Sequence, residues 1–403
     1  MLRHLPFFEA LANTAEDTPD WAAVTAGLGV LRLVDEWMAG GAVTRLRVRP
    51  AALAVEQVEL GKPARAVLQG IVGVLAGSEA PSLDQLLPRL FAYGRALELD
   101  GRYALAADVY ESVVGAATPV EDHADLVIDT HMRLGYCLRV LGRFDEAAAT
   151  YATAKELSGL TGNTVKALRG RVADANLALA RGNLPAAAAI LEETIRAAEG
   201  DALHDVRMIA LHDRAAVAFH AGAYEEAVRL AFQALEGTRA PMARDRLLSD
   251  IAAMWVQLGV RDAARDALLT LLATAQEQYT RWLATVNLMD LAALDGIEVV
   301  FEQYRRELAA AALPVDLAAS SQLVAGQGYR LLGRTTAARR ALTRATELAR
   351  QHGLHQIGFE AEAALEALER GEGRTAAASL AAPESLREIA SAMSAMREVA
   401  TVG

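Results

Sequence analysis

Eight glycines recur along this chain at nearly constant intervals. They are Gly61, Gly101, Gly142, Gly182, Gly222, Gly259, Gly296 and Gly333, separated by 40, 41, 40, 40, 37, 37 and 37 residues. A fixed period of this length marks stacked supersecondary units, each of which can bury its apolar face only against its neighbours. The segment from His131 to Ser158 shows what one unit contains. Leu134, Gly135 and Leu138 precede Gly142, and Phe144, Ala147, Tyr151 and Ala154 follow it, both sets at helical spacing. Two amphipathic helices are therefore expected, joined at Leu141-Gly142-Arg143, with Gly142 in the left-handed backbone region that reverses the chain. Gly135 and Ala147 are small enough to let the paired helices approach closely, and Phe144 fills the gap beside the turn.

The stretches after the other glycines repeat this logic with falling fidelity. GRYALAADVY and GRFDEAAATY are the fullest versions, followed by GAYEEAVRLA, GNLPAAAAIL and GRTTAARRAL. GKPARAVLQG and GVRDAARDAL lack the aromatic residue, and GIEVVFEQYR places Phe301 where a small residue is expected. Gly-x-aromatic-x-x-Ala between two amphipathic helices resembles the tetratricopeptide repeat. The resemblance implies an all-α fold, a right-handed α-solenoid of seven or eight tetratricopeptide-type helix pairs. The period exceeds the family's usual repeat of about 34 residues, which leaves room for one more helical turn or a longer connection. Repeats of this texture look most like the sensor arrays of bacterial signal-transduction regulators. HEAT and armadillo arrays have similar periods but rank second, because this turn belongs to tetratricopeptide units.

The array is expected to occupy residues 44–350. Before it, residues 1–43 read as capping helices, one over Leu5 to Asn13 and one from Pro19 to about Met38 that ends at Gly40-Gly41. After it, residues 351–370 read as a C-terminal capping helix and 371–382 as a Gly-rich linker. Residues 383–403 read as a terminal amphipathic helix. There Leu386, Ile389, Met393 and Met396 form an apolar stripe at spacings of three, four and three. Ser385 and Glu388 have the spacing of a capping box for that helix. A helix this short is marginal alone in water, so the stripe is expected to dock on its own chain, on a neighbouring copy or on a partner.

Composition restricts function more than it assigns it. The chain is 53% hydrophobic but only 5% aromatic, which suits close-packed helices better than sheet cores. Its net charge of −11 and the lack of any long basic run exclude a nucleic-acid footprint. No apolar run is long enough to span a bilayer, and the first residues lack the apolar core of a secretion signal. A cytoplasmic protein with no membrane partner is therefore expected. The single cysteine, Cys137, is expected to be a small core residue rather than a reactive thiol.

Phosphate loops and nucleophile elbows are missing, and no pair of histidines has metal-ligand spacing. Gly326 and Gly328 sit in a helical pattern where close packing accounts for both. The acidic pairs Asp145-Glu146 and Glu225-Glu226 open second helices, where negative charge favours the helix N-terminus. The expectation is no enzyme, no cofactor and no metal.

Family resemblance implies that ligands lie in a concave groove lined by the first helix of each pair. Counting back from the turn glycines places Phe91, Arg95, Glu98, Met132, Tyr136 and Arg139 there. Val172, Asn176, His212, Phe219, Leu323, Gln327 and Arg330 follow in later repeats. Isolated aromatics and arginines of this kind suit a protein or peptide partner with apolar anchors. The lysines that a carboxylate clamp for chaperone tails requires are absent from these positions, and Asn176 is its only match. A non-enzymatic peptide-binding scaffold is therefore the favoured reading. A peptide- or ligand-sensing module that switches a partner is the first alternative. A self-assembling subunit, homo-oligomeric through the terminal helix, is the second.

Overall fold

The computed structural model describes residues 3–16, 18–59, 62–117, 120–372 and 377–402. Among them are twenty α-helices and no strand. They form two compact units, residues 1–198 and 199–403. The first contains α1 (Leu5–Asn13), α2 (Pro19–Met38), α3 (Arg45–Gln57), α4 (Pro63–Leu75) and α5 (Leu83–Leu99). It continues with α6 (Tyr103–Ala116), α7 (Ala124–Val140), α8 (Phe144–Leu160), α9 (Thr164–Ala180) and α10 (Leu184–Ala197). The second contains α11 (His204–His220), α12 (Tyr224–Gly237), α13 (Pro241–Gln257), α14 (Arg261–Thr274) and α15 (Gln278–Leu294). It continues with α16 (Glu298–Ala310), α17 (Val315–Leu331), α18 (Thr335–His352), α19 (His355–Glu369) and α20 (Arg387–Val402). Each unit is a stack of tetratricopeptide-type helix pairs, and no described helix is long and apolar enough to cross a membrane.

Local chemistry explains where helices begin and end. Thr18 caps α2 by accepting from the Trp21 amide at 3.1 Å, with Pro19 in the first turn. Ser82 and Gln85 form a reciprocal capping box at the start of α5. At the end of α7, Gly142 has φ +74°. Its amide bonds the Arg139 carbonyl at 3.1 Å, and the Arg143 amide bonds the Leu138 carbonyl at 2.9 Å. This is the Schellman closure, and it recurs at Gly101, Gly182, Gly222, Gly259, Gly296 and Gly333, all at positive φ. Gly61 lies outside the described residues.

Gly142→Val is expected to cost about 2 kcal/mol, since a β-branched residue resists positive φ. The melting temperature should fall by roughly 4–8 °C. Gly115→Ala, on an exposed helical face with nothing within 4 Å of an added Cβ, should leave it unchanged or higher. Equal melting curves for Gly142→Val and the wild type would refute the turn's role.

Within a pair, a small residue of the first helix faces a large one of the second. A Cβ on Gly135 would overlap the Tyr151 ring, and one on Gly94 would meet Tyr110. Between pairs, the second helix usually carries the next first helix: α6 packs on α7, α8 on α9, α12 on α13 and α14 on α15. The α15/α16 pair departs from this. There α17 packs mainly on α15 and barely touches α16. Phe301, fully buried, occupies space that Gly328 leaves open, and its ring meets Tyr329 edge-on at 5.1 Å.

The first helix is tied down by one side chain. His4, with φ +61° and 4% exposed, places Nδ1 2.6 Å from Asp108 Oδ2 in α6 and Nε2 3.2 Å from Asp35 Oδ2 in α2. Burial opposes its charge, but the two carboxylates outweigh burial and push the imidazole up to about 9. It is therefore charged at neutral pH, pinning α1 to two other helices.

The terminal helix docks on its own chain, in the second unit, against α14. Leu386 and Met393 are fully buried there, with Ile389 and Met396 half-buried beside them. Ser385 does not cap the helix. It lies in a short 3-10 turn and donates to Glu225 Oε2 of α12 at 2.7 Å, so the anticipated capping box with Glu388 gives way to a tertiary contact. Arg397 pairs with Asp266 of α14 at 2.9 Å. Of the linker, residues 373–376 lie outside the described residues. Beyond them the Leu380 amide bonds the Gly259 carbonyl at 2.9 Å, and the buried Arg261 guanidinium donates to the Ala377 carbonyl.

Candidate functional site

The first helices of unit 1 bring an arginine- and tyrosine-rich cluster together. Helical spacing places Phe91, Arg95 and Glu98 along one side of α5, and Met132, Tyr136 and Arg139 along one side of α7. Glu98 was anticipated at the groove surface, but it is only 7% exposed. A carboxylate so buried needs partners, and it has three. The Tyr110 hydroxyl donates to it at 2.5 Å from α6, Arg95 at 2.6 Å from its own helix and Arg133 at 2.9 Å from α7. Glu98 is thus the internal counter-ion that holds two guanidinium groups in place.

Tyr136 stands between two of the arginines. The Arg133 guanidinium carbon lies 4.8 Å from its ring centroid and that of Arg139 5.3 Å, both within cation–π range. Tyr103 of α6 meets the same ring at 6.0 Å. Arg139 Nε is buried without a hydrogen-bond partner in the structure. Three half-buried guanidinium groups thus surround one buried carboxylate and one half-exposed phenol. Phe91 packs on Tyr110 at 5.7 Å and is half-buried. Met132 and Asn176, the latter on α9, are half-buried and Asn176 is engaged with a neighbour.

Other predicted positions serve packing or belong to the second unit. Val172 and Leu323, counted toward the groove from their spacing, are each only 5% exposed and belong to the core. In unit 2, His212 Nε2 lies 2.6 Å from Asp250 Oδ2 of α13. Phe219 packs on Tyr224 at 5.4 Å. Gln327 on α17 is half-buried and engaged with a neighbour. Arg330 donates to the Glu372 carbonyl at 3.2 Å. These four are not gathered into one cluster as the α5 and α7 residues are.

Sequence counting missed Arg133 and Tyr103. Arg133 lies one residue beyond Met132, and its orientation toward Glu98 depends on a contact 35 positions away. A glutamate three residues before a turn glycine, with arginines on two adjacent first helices, hints at the cluster in sequence but does not say that the glutamate is buried.

Among the described residues, no set of three His, Cys, Asp or Glu side chains could hold a metal ion. Burial pushes the Cys137 thiol up to about 11, out of the range of a reactive thiolate. Asp145 and Glu146 at the start of α8 are spent on Arg181 and Arg143, at 2.6 and 2.7 Å.

No family model matches the chain, and no curated protein does. Several solved structures resemble it. The peptide complex of NprR with NprX has a TM-score of 0.48 at 12% identity, covering 85% of this chain and 90% of its own. The Rap conjugation regulator of plasmid pLS20 in complex with the Phr* peptide has 0.47 at 13% identity, covering 87% and 96%. A tetratricopeptide repeat protein from Parabacteroides merdae has 0.44 at 15% identity, covering 69% and 99%.

Proposed function

We propose that the chain is a non-enzymatic scaffold that binds a protein or peptide segment through the first-helix face of α5, α7 and α9. The observation that carries this reading is Tyr136 held between Arg133 and Arg139, with Arg95 beside them and the buried Glu98 opposing the charge. Such a cluster offers a flat aromatic surface for an apolar side chain and guanidinium groups for a carboxylate, either an acidic side chain or a chain terminus. Tyrosine and arginine are the residue types that most often dominate interface energies. The positions are already ordered by Glu98, which lowers the entropy cost of capturing a flexible segment.

The test is a panel of immobilised peptides probed with the wild type and with Tyr136→Ala and Arg139→Ala. Peptides that pair a carboxylate with an adjacent apolar residue should be retained by the wild type. Each variant should weaken them about tenfold or more while its melting curve stays close to that of the wild type. Undiminished retention by Tyr136→Ala would remove the reading.

A further inference from the structure

The α15/α16 pair breaks the pattern of its neighbours at two linked positions. Seven residues before the turn glycine the array holds Gly94, Gly135, Ala175, Ala215, Ala252 and Gly326, but Met289 in this pair. Nine residues after the glycine stand Tyr110, Tyr151 and Leu191 in unit 1 and Ala231, Leu268 and Leu342 in unit 2, all apolar, but Arg305 here. A large side chain replaces the small one, and a charge replaces the apolar partner that would fill against it. With Phe301 directed at Gly328, α16 stands off α17 and leaves an open cleft of about 820 Å³ on the second-helix side of unit 2. Met289, Leu308 and Ala325 form its buried apolar floor, and Ala309 and Ala337 are accessible above it. Arg305, Arg340 and Arg344 line it with charge, and Thr343 lies between the last two.

In a chain of net charge −11, this density of arginine stands out. Arg305 holds Glu302 at 2.9 Å and Arg344 holds Glu347 at 3.1 Å, while Arg340 makes no ion pair among the described residues. Exposed pairs of this kind contribute only about 0–1 kcal/mol, so an incoming carboxylate can replace them. Arg340 and Arg344 are four residues apart on one face of α18. The lining runs from Thr336 to Glu347, about 16 Å along the helix axis. That length, with an apolar base and charged sides, fits a short stretch of polypeptide better than a compact anion.

We infer that this cleft is a second docking site, separate from the α5/α7 face, for an acidic peptide segment of a partner protein. Its carboxylates meet Arg340 and Arg344, and an apolar side chain lies on Ala309 and Ala337.

The experiment uses the full chain and three probes: a fluorescein-labelled peptide of glutamate and leucine, its lysine–leucine counterpart, and ATP as competitor. The glutamate peptide should bind with an affinity that falls as salt rises. The double variant Arg340→Glu/Arg344→Glu should weaken it about tenfold or more. Both arginines are exposed, so the variant should keep the wild-type melting curve. These measurements are made in a Tyr136→Ala background, which disables the α5/α7 face, and the salt-dependent binding should persist there. The inference is overturned by no binding, by equal binding of the lysine peptide or by full affinity in the double variant. ATP displacing the peptide at equal concentration would assign the cleft to compact anions instead. Binding by the wild type with none left in the Tyr136→Ala background would assign the peptide to the α5/α7 face.

Discussion

A chain lacking residues 384–403 is expected to bind a hydrophobic dye and to melt at a lower temperature. The reason lies in α14. Its buried residues include Ala263, Asp266 and Thr270 as well as the usual inward set of Ala264, Leu268 and Leu271. In α8, the residues equivalent to Ala263 and Asp266 are Glu146 and Ala149, and both are exposed. The extra burial in α14 is the work of α20, whose Met393 is fully covered, as is Leu386 in the turn just before it. Burying two such side chains is worth roughly 3–6 kcal/mol before the entropy of ordering the segment is subtracted. A net loss of about 2–3 kcal/mol is expected, and a melting temperature lower by roughly 5–10 °C. Asp266 would also lose Arg397. Met393→Asp should reproduce most of the effect in the full-length chain, because it buries an unpaired charge. Unchanged dye binding and melting in both variants would make the terminal helix a dispensable tail.

Glu98→Ala is the second change from which a large loss is expected. The Tyr110 side chain is fully buried, and its hydroxyl has Glu98 as acceptor. Removing the carboxylate strands that hydroxyl, at a cost of about 1–3 kcal/mol. It also leaves Arg95 and Arg133 facing each other without their shared counter-ion. Their side chains are 39% and 32% exposed, so water takes over part of the solvation. The total is therefore expected near 2–3 kcal/mol, below the roughly 3–5 kcal/mol of a fully buried broken pair. Urea unfolding should show a lower midpoint at unchanged slope. Glu98→Gln, which keeps an acceptor for Tyr110, should lose about half as much. If Glu98→Ala unfolds like the wild type, the cluster does not hold the α5, α6 and α7 side chains together.

What was legible in the sequence is what short-range chemistry controls. Gly142 and its equivalents announce themselves because positive φ is expensive for every other residue type. Pro19 at the start of α2 and the gap before α20 were readable for similar reasons, as was the need for a small residue at Gly135. The acid and base partners of the candidate site were not legible. Glu98 and Arg133 lie 35 positions apart, and helical spacing alone placed Glu98 on the surface. Periodicity assigns a residue to a face but does not say whether the next helix covers that face.

The sequence by itself therefore determined the helix pairs, their turns and their period, since propensity, small-residue placement and backbone handedness act within a few residues. It also set out the apolar stripe of α20, which had to be covered by something. Tertiary structure alone decided that α14 covers it, that Glu98 turns inward to gather Arg95 and Arg133, and that α16 stands away from α17. Each of these outcomes compares the packing of residues distant in the chain. Their sign depends on which volumes and charges meet, and no local pattern carries that information.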